Sequence, residues 1–412
     1  MNLNRRGFLT AGALATPLLA GGSGIARATT ETAVITAADQ LAAQGWRKLA
    51  GRKVGVLSNP TGVLANLDHI VDSMVAAGVK PVAAFGPEHG FRGSAQAGGS
   101  EGDYTDPRTG IPVYDAYGAT ADSLAKMFTK AGVDTVVFDI ADIGARFYTY
   151  IWSMYTAMVA AAGVGASFIV LDRPNPVGGQ AFGPMLDPAS ASGVGLKPIV
   201  QQHGMTVGEL ARFFAGEFLT AKLDLDVMRV QGWRRDTFFA QTGLKWTPPS
   251  PNMPTPDTAL VYPGLGMVEG TLFSEGRGTT RPFEIVGAPG VDWRWREALS
   301  GLALPGVEFR ETYFVPTFSK FVNETCGGVE LTVTEPRAFD AIRTAVAMFV
   351  TAKRLHPGLF GWRPDLAIDK LSGSDRLRKM VDAGAGVEEI VGSWQAELAS
   401  FVARRQPYLL YW

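Results

Sequence analysis

Short apolar runs recur along the first two-thirds of this chain, at 54–58, 82–85, 135–140, 167–171 and 226–230, and amphipathic or polar stretches separate them. A run of this length bounded by polar breaks reads as a strand buried on both faces. The intervening segments 67–77, 121–131, 151–162 and 207–218 carry the longer period of helices. Gly78, Gly132 and Gly163 fall where such helices need a left-handed C-cap. Strands alternating with helices predict an α/β fold, a Rossmann-like, mostly parallel sheet over 33–246. Beyond it, 247–289 is dense in Pro and Gly with little periodicity and reads as a long site-lining loop. A strand at 329–333 and helices near 338–353 and 387–404 predict a smaller α+β C-terminal auxiliary domain over 290–412.

Each predicted strand ends in a polar, Gly/Pro-rich run: Asn59-Pro60-Thr61-Gly62, Gly86-Pro87-Glu88-His89-Gly90, Asp139 to Arg146, and Asp172-Arg173-Pro174-Asn175-Pro176. Ligands of open α/β sheets bind outside the carboxyl ends of the strands, so these runs are where a site belongs.

Other features narrow the class. The chain opens with Arg5-Arg6 before a small, apolar run ending at Ala26-Arg27-Ala28, which reads as a twin-arginine export signal over 1–28 and predicts a periplasmic or extracellular protein without stable membrane insertion. Net charge is −1, which gives no support for a nucleic-acid partner, and the single cysteine, Cys326, excludes an internal disulfide. No phosphate-cradling glycine loop opens a helix after the first strand, and the four histidines show no metal-ligand spacing, so neither a cofactor nor a metal is expected. A Gly98-Gly99-Ser100-Glu101-Gly102 match to a nucleophile elbow lacks the flanking strand and helix. It reads as a loop, and a serine esterase using Ser100 is the weakest of the enzymatic alternatives.

Carboxylates remain as the chemistry-bearing groups: Glu88, Asp139, Asp142 and Asp172 at strand ends, and Glu269, Glu275 and Glu284 in the long loop. Glycoside hydrolysis needs two carboxyl groups, one to protonate the leaving oxygen and one to activate water or attack carbon. Glu88 is the first candidate, because Pro87 and Gly90 bend the backbone beside it. His89 is expected to support that loop. Thr206 and Glu209 form a capping box, which leaves His203 to face the crevice. Among the aromatic residues, Tyr148 and Tyr150 offer a stacking face, and Phe147 and Trp152 are expected in the core.

Read together, these motifs resemble the NamZ-type exo-β-N-acetylmuramidases. The likeness also rests on Ser58, His203-Gly204-Met205-Thr206, Pro249-Ser250-Pro251-Asn252-Met253-Pro254, Glu269-Gly270-Thr271, Ser274 to Thr279, and Tyr408-Leu409-Leu410-Tyr411, so it spans the chain after residue 28. It implies release of N-acetylmuramic acid (MurNAc) from the non-reducing end of MurNAc-GlcNAc saccharides during cell-wall turnover, with Glu88 as the catalytic glutamate. Asp142, Glu269 or Glu275 is the expected second carboxyl. Asn59, His89, Arg92, Asp139, Arg146, Tyr148, Asp172, Asn175, His203, Asn252 and Arg277 are the expected saccharide-binding set. Arg92, Arg146 or Arg277 would take the lactyl carboxylate of MurNAc, since planar anion recognition favours arginine. The chain carries Ala141-Asp142 where the family commonly has Gln-Asp. A muropeptide-binding protein without catalysis would use the same cleft.

Overall fold

The computed structural model describes residues 33–412; the export signal expected over 1–28 lies outside them. Strands β1 (Val54–Ser58), β2 (Ala83–Gly86), β3 (Tyr104–Thr105), β4 (Pro112–Asp115), β5 (Thr135–Asp139) and β6 (Ser167–Leu171) open the fold. They are followed by β7 (Phe182–Met185), β8 (Val200–Gln202) and β9 (Leu225–Met228). The main sheet has seven strands in the order β3-β4-β2-β1-β5-β6-β9, parallel except for β3, which pairs antiparallel with β4. β7 and β8 form a separate two-stranded ribbon.

Every residue of β1, β2 and β5 is buried, which is why these strands read as unbroken apolar runs. Alternate side chains face opposite layers. Val54 and Val56 pack with helices α1 (Ala37–Ala43) and α2 (Ile70–Ala76), while Leu57, Phe85 and Phe138 pack with α3 (Ala121–Ala131) and α4 (Tyr150–Val164). Gly55 keeps the centre of the sheet closed, since a Cβ there would lie 2.8 Å from both the Phe85 ring and Val133. The chain runs outward from β1 to β2 and β4, then returns to the other side of β1 as β5. The loops after β1, β2 and β5 therefore open beside a topological switch point.

Local signals set the helix ends. Thr120 caps α3 and Gly132, at φ 67°, ends it. α4 runs through Gly163 and ends at Gly165, whose φ is 72°. α2 starts at Ile70, three residues later than its apolar pattern suggests, because His69 caps it by accepting the Val71 N–H. α5 (Val207–Glu217) begins with the Thr206–Glu209 capping box.

The segment 247–289 departs most from expectation. It contains α6 (Pro256–Leu265), a 3-10 turn at Gly266–Gly270 and β10 (Ile285–Ala288). α6 is buried nearly all round and holds Pro263, so it shows no amphipathic period. Gly264 lets α6 lie against the start of a later helix; a Cβ there would come within 1.8 Å of the Ala341 carbonyl oxygen. β10 joins β11 (Val307–Phe314) and β12 (Cys326–Val333) in an antiparallel sheet ordered β10-β12-β11. The helix at Ala341–Leu355 packs on α6, and the predicted helix over 387–404 is two, Val387–Gly392 and Gln395–Arg405. One buried apolar cluster runs from Leu57 through both sheets to Leu409.

Candidate active site

Glu88 follows the carboxyl end of β2, where Gly86 and Pro87 turn the chain and His89 takes a left-handed φ of 71°. Gly86 admits the tight return: a Cβ would lie 2.7 Å from the Phe91 nitrogen. The loop then folds back on itself. His89 N–H donates to the Gly99 carbonyl (3.0 Å), and its imidazole bonds the Ala95 carbonyl (2.9 Å). The Gly98 N–H donates to Glu88 Oε1 at 2.9 Å, and the Thr149 hydroxyl donates to Oε2 at 2.9 Å. Thr149 is the N-cap residue of α4 but makes no side-chain cap bond, so its hydroxyl is free for Glu88.

Glu88 lines a cleft of about 880 Å³. Tyr148, Tyr150, Asn252 and Tyr262 line it, together with Glu269, Glu275, Arg277, Lys320, Arg363 and Lys370. The tyrosines stand edge to face, Tyr148 on Tyr150 and Tyr262, and the Tyr150 hydroxyl is held by the Pro249 carbonyl at 2.6 Å. Burial pushes the Tyr148 and Tyr262 hydroxyls well above the ordinary phenol range. Both therefore stay neutral donors at any working pH.

The other acidic groups of the cleft are not equivalent. Glu275 is buried and paired with Lys320 (3.0 Å) and Arg277 (3.4 Å). Glu269 pairs with Arg277, yet burial raises its carboxyl above the usual range; Arg277 opposes that shift and Glu275 adds to it. Arg277 thus lies between two carboxylates with its guanidinium over the Phe283 ring. Among the described residues Lys370 makes no ion pair, while Arg363 reaches Asp365 at 2.8 Å beside the cleft.

The structure brings Glu88, His89, Tyr148, Asn252, Glu269, Glu275 and Arg277 together at this cleft. Eight other residues expected there do not line it. Asp142 and His203 are buried and bonded to each other at 3.0 Å, so His203 faces the interior rather than the crevice. Asp142 borders instead a separate hollow of about 50 Å³, which Ala141 also lines. Arg92 is clamped by Asp72 (2.9 Å) and Asp106 (2.8 Å). Arg146 is fully buried and donates to the carbonyls of Pro184 (2.9 Å), Ile199 (3.1 Å) and Leu371 (2.8 Å); burial lowers its pKa to about 9. Asp139 pairs with Arg173 (2.8 Å) in the interior. Asp172 accepts from the Tyr411 hydroxyl (2.5 Å), the Thr206 hydroxyl (2.8 Å) and the Gly208 N–H (2.8 Å). Asn59 turns its own loop through Thr61 (2.9 Å), and Asn175 does the same through Val177 (3.1 Å). The reason is common to all eight. Polar groups withdrawn from water must find partners, and in each case the folded chain supplies them from a helix, a loop or a main-chain carbonyl.

Phe147 and Trp152 are buried as expected, though the Phe147 ring also touches the cleft. Ser100 donates to Asp115 at 2.5 Å and is followed by β3 rather than a helix, so it lacks the setting of an activated nucleophile. Thr149, Tyr262, Lys320, Arg363 and Lys370 were not singled out from the sequence as site residues. Tyr262 sits in a helix without periodicity, and Lys320, Arg363 and Lys370 come from the C-terminal part of the chain, far in sequence from the strand-end loops.

Comparison with known proteins agrees along the length of the chain. Residues 54–257 match the N-terminal region, and 260–411 the C-terminal region, of the family described as exo-β-N-acetylmuramidase NamZ. The peptidoglycan β-N-acetylmuramidase NamZ of Bacillus subtilis is 45% identical over 381 residues, covering 92% of this chain and 91% of that protein. Two crystal structures of DUF1343 family proteins from Bacteroides fragilis superpose with TM-scores of 0.85 and 0.75 at 33% and 31% identity, each covering 92% of this chain and 99% of the other. With both halves matched and the Glu88 cleft formed between them, the chain belongs to the NamZ family of exo-β-N-acetylmuramidases.

Proposed function

We propose that this protein hydrolyses the glycosidic bond of a terminal MurNAc unit in MurNAc-GlcNAc fragments of peptidoglycan, with Glu88 as general acid/base and Glu269 as the second carboxyl. The observation that carries the reading is Glu88 itself, half-buried at the edge of a saccharide-sized cleft with both carboxyl oxygens fixed. Its contact with Thr149 suits a group that must change protonation state. A hydroxyl can donate to the carboxylate or, by rotating, accept from the acid. Glu269 answers the other requirement. Burial favours its neutral form and Arg277 its ionised form, so positive charge developing on the sugar adds to Arg277 and favours the carboxylate.

The lactyl carboxylate falls to Arg363 and Lys370 at the cleft rim, because Arg277 is already committed to Glu269 and Glu275. Export through the twin-arginine signal would place the enzyme outside the cytoplasm, where cell-wall fragments are met. The test is product analysis on MurNAc-GlcNAc. Wild type is expected to release free MurNAc, and Glu88→Gln to lose about 10²-fold or more in kcat with substrate binding retained. Binding without product by the wild type would favour a muropeptide-binding protein, and full turnover by Glu88→Gln would remove Glu88 from the mechanism.

A further inference from the structure

Glu88 borders two cavities. Beside the charged cleft lies a second space of about 740 Å³, which meets the first at Glu88, Thr149 and Val194. Its chemistry is different. Tyr117, Tyr155, Leu196 and Val159 give it apolar surface, the Ser153 and Thr156 hydroxyls give it neutral polar groups, and Glu88 is its one charged lining residue among those described. Tyr117 is 40% exposed on the loop after β4, whose backbone Asp115 anchors by accepting the Tyr117 N–H at 3.0 Å. Burial raises the Tyr117 hydroxyl's pKa and the Glu88 charge adds to the rise, so that hydroxyl lies within electrostatic reach of the carboxyl.

A general acid must reach the oxygen that joins two sugar units, so it needs room for one unit on each side. The two sides here differ in charge. The anionic unit, MurNAc, belongs in the cleft that offers it Arg363 and Lys370. We propose that the second cavity is the leaving-group subsite and takes a neutral sugar ring against the face of Tyr117. The assignment rests on the function proposed above and specifies where the departing half of that substrate sits. A peptide stem is the poorer occupant, because its carboxylates would meet Glu88 and no lining cation; Lys197, beside the cavity, is held over the Tyr155 ring.

The experiment compares two substrates that share MurNAc and differ in the leaving group: MurNAc-GlcNAc, which fills the second cavity, and MurNAc β-fluoride, which leaves it empty. Tyr117 is exposed, so Tyr117→Ala is expected to fold normally. It should lower kcat/KM on the disaccharide by about tenfold, the size of one lost ring contact, and leave the fluoride within about twofold. Free GlcNAc should inhibit fluoride hydrolysis by wild type and do so more weakly in Tyr117→Ala, and Tyr117→Phe should restore both properties. Equal losses on the two substrates, or an unchanged disaccharide rate, would overturn the subsite. So would a loss seen only with peptide-bearing substrates, which would give the cavity to the stem. A wild type that cleaves neither substrate would instead sink the hydrolase reading, and the subsite with it.

Discussion

Arg277 shows at the scale of single residues how placement changes a role. As a sequence feature it is an arginine in a glycine-rich turn, available to any anion; in the structure two carboxylates occupy it before a ligand arrives. Its effect is then exerted on Glu269. Burial raises the Glu269 pKa and Arg277 works against that rise. If hydrolysis requires ionised Glu269, activity is lost as pH falls through that raised pKa, so the acid limb of the pH profile lies above the ordinary carboxylate range. Replacing Arg277 by Met removes the opposing charge, and the limb should move to higher pH. The measurement is kcat/KM for wild type and Arg277→Met across pH 4 to about 8. A limb that stays in place, or moves to lower pH, would take Glu269 out of the ionisation that governs the rate. Arg92 and Arg146 show the limit of reading at this scale: what occupies them are Asp72 with Asp106 and three main-chain carbonyls, brought close by folding.

Elements were legible where one layer decided their pattern. β1, β6 and α3 occupy the spans their apolar runs and caps predict, because burial on both faces, or on one stripe, leaves a regular trace. α6 left no such trace, since it is covered on all sides and its composition matches a loop. The segment that carries Tyr262, Glu269 and Arg277 into the cleft was thus recognised as functional without its structure being readable. The junction of β6 and α5 shows what such contacts do to stability. Asp172, at the end of β6, holds the α5 capping box through Thr206 and Gly208 and receives the Tyr411 hydroxyl, and burial raises its pKa from 3.8 to about 7. Between those two values the folded chain keeps the proton more tightly than the unfolded chain. This contribution is fully present below pH about 4 and is lost as pH rises through about 7. Urea midpoints at pH 5 and pH 8 should show that wild type gains more than Asp172→Asn on going to the lower pH. Equal gains in the two proteins would mean that Asp172 does not titrate in this window.

The cleft needs both halves of the chain, and so does the core. Glu88, Tyr148 and Tyr150 line the same space as Glu269, Lys320 and Lys370, and one apolar cluster continues from Leu57 to Leu409. Polar ties cross as well. Arg405 donates to the carbonyls of Gly204 (2.9 Å) and Gly179 (3.0 Å), Arg146 reaches the Leu371 carbonyl, and Tyr411 ends on Asp172. Each of these groups is buried, so removing the partner strands a polar atom as well as opening apolar surface. A chain divided near residue 257, where the two family matches adjoin, would therefore expose the apolar faces that α6 and the last helices cover. Residues 33–257 produced alone are expected to bind a hydrophobic dye and to lack near-ultraviolet circular dichroism, while the intact protein unfolds in one transition whether followed by tryptophan fluorescence or by helical signal. A fragment with native-like tertiary signal, or separated transitions in the intact protein, would show that the cleft joins two independently stable bodies. In that case the loss of any cross-tie, Arg146 or Arg405 included, should weaken saccharide binding before it lowers thermal stability.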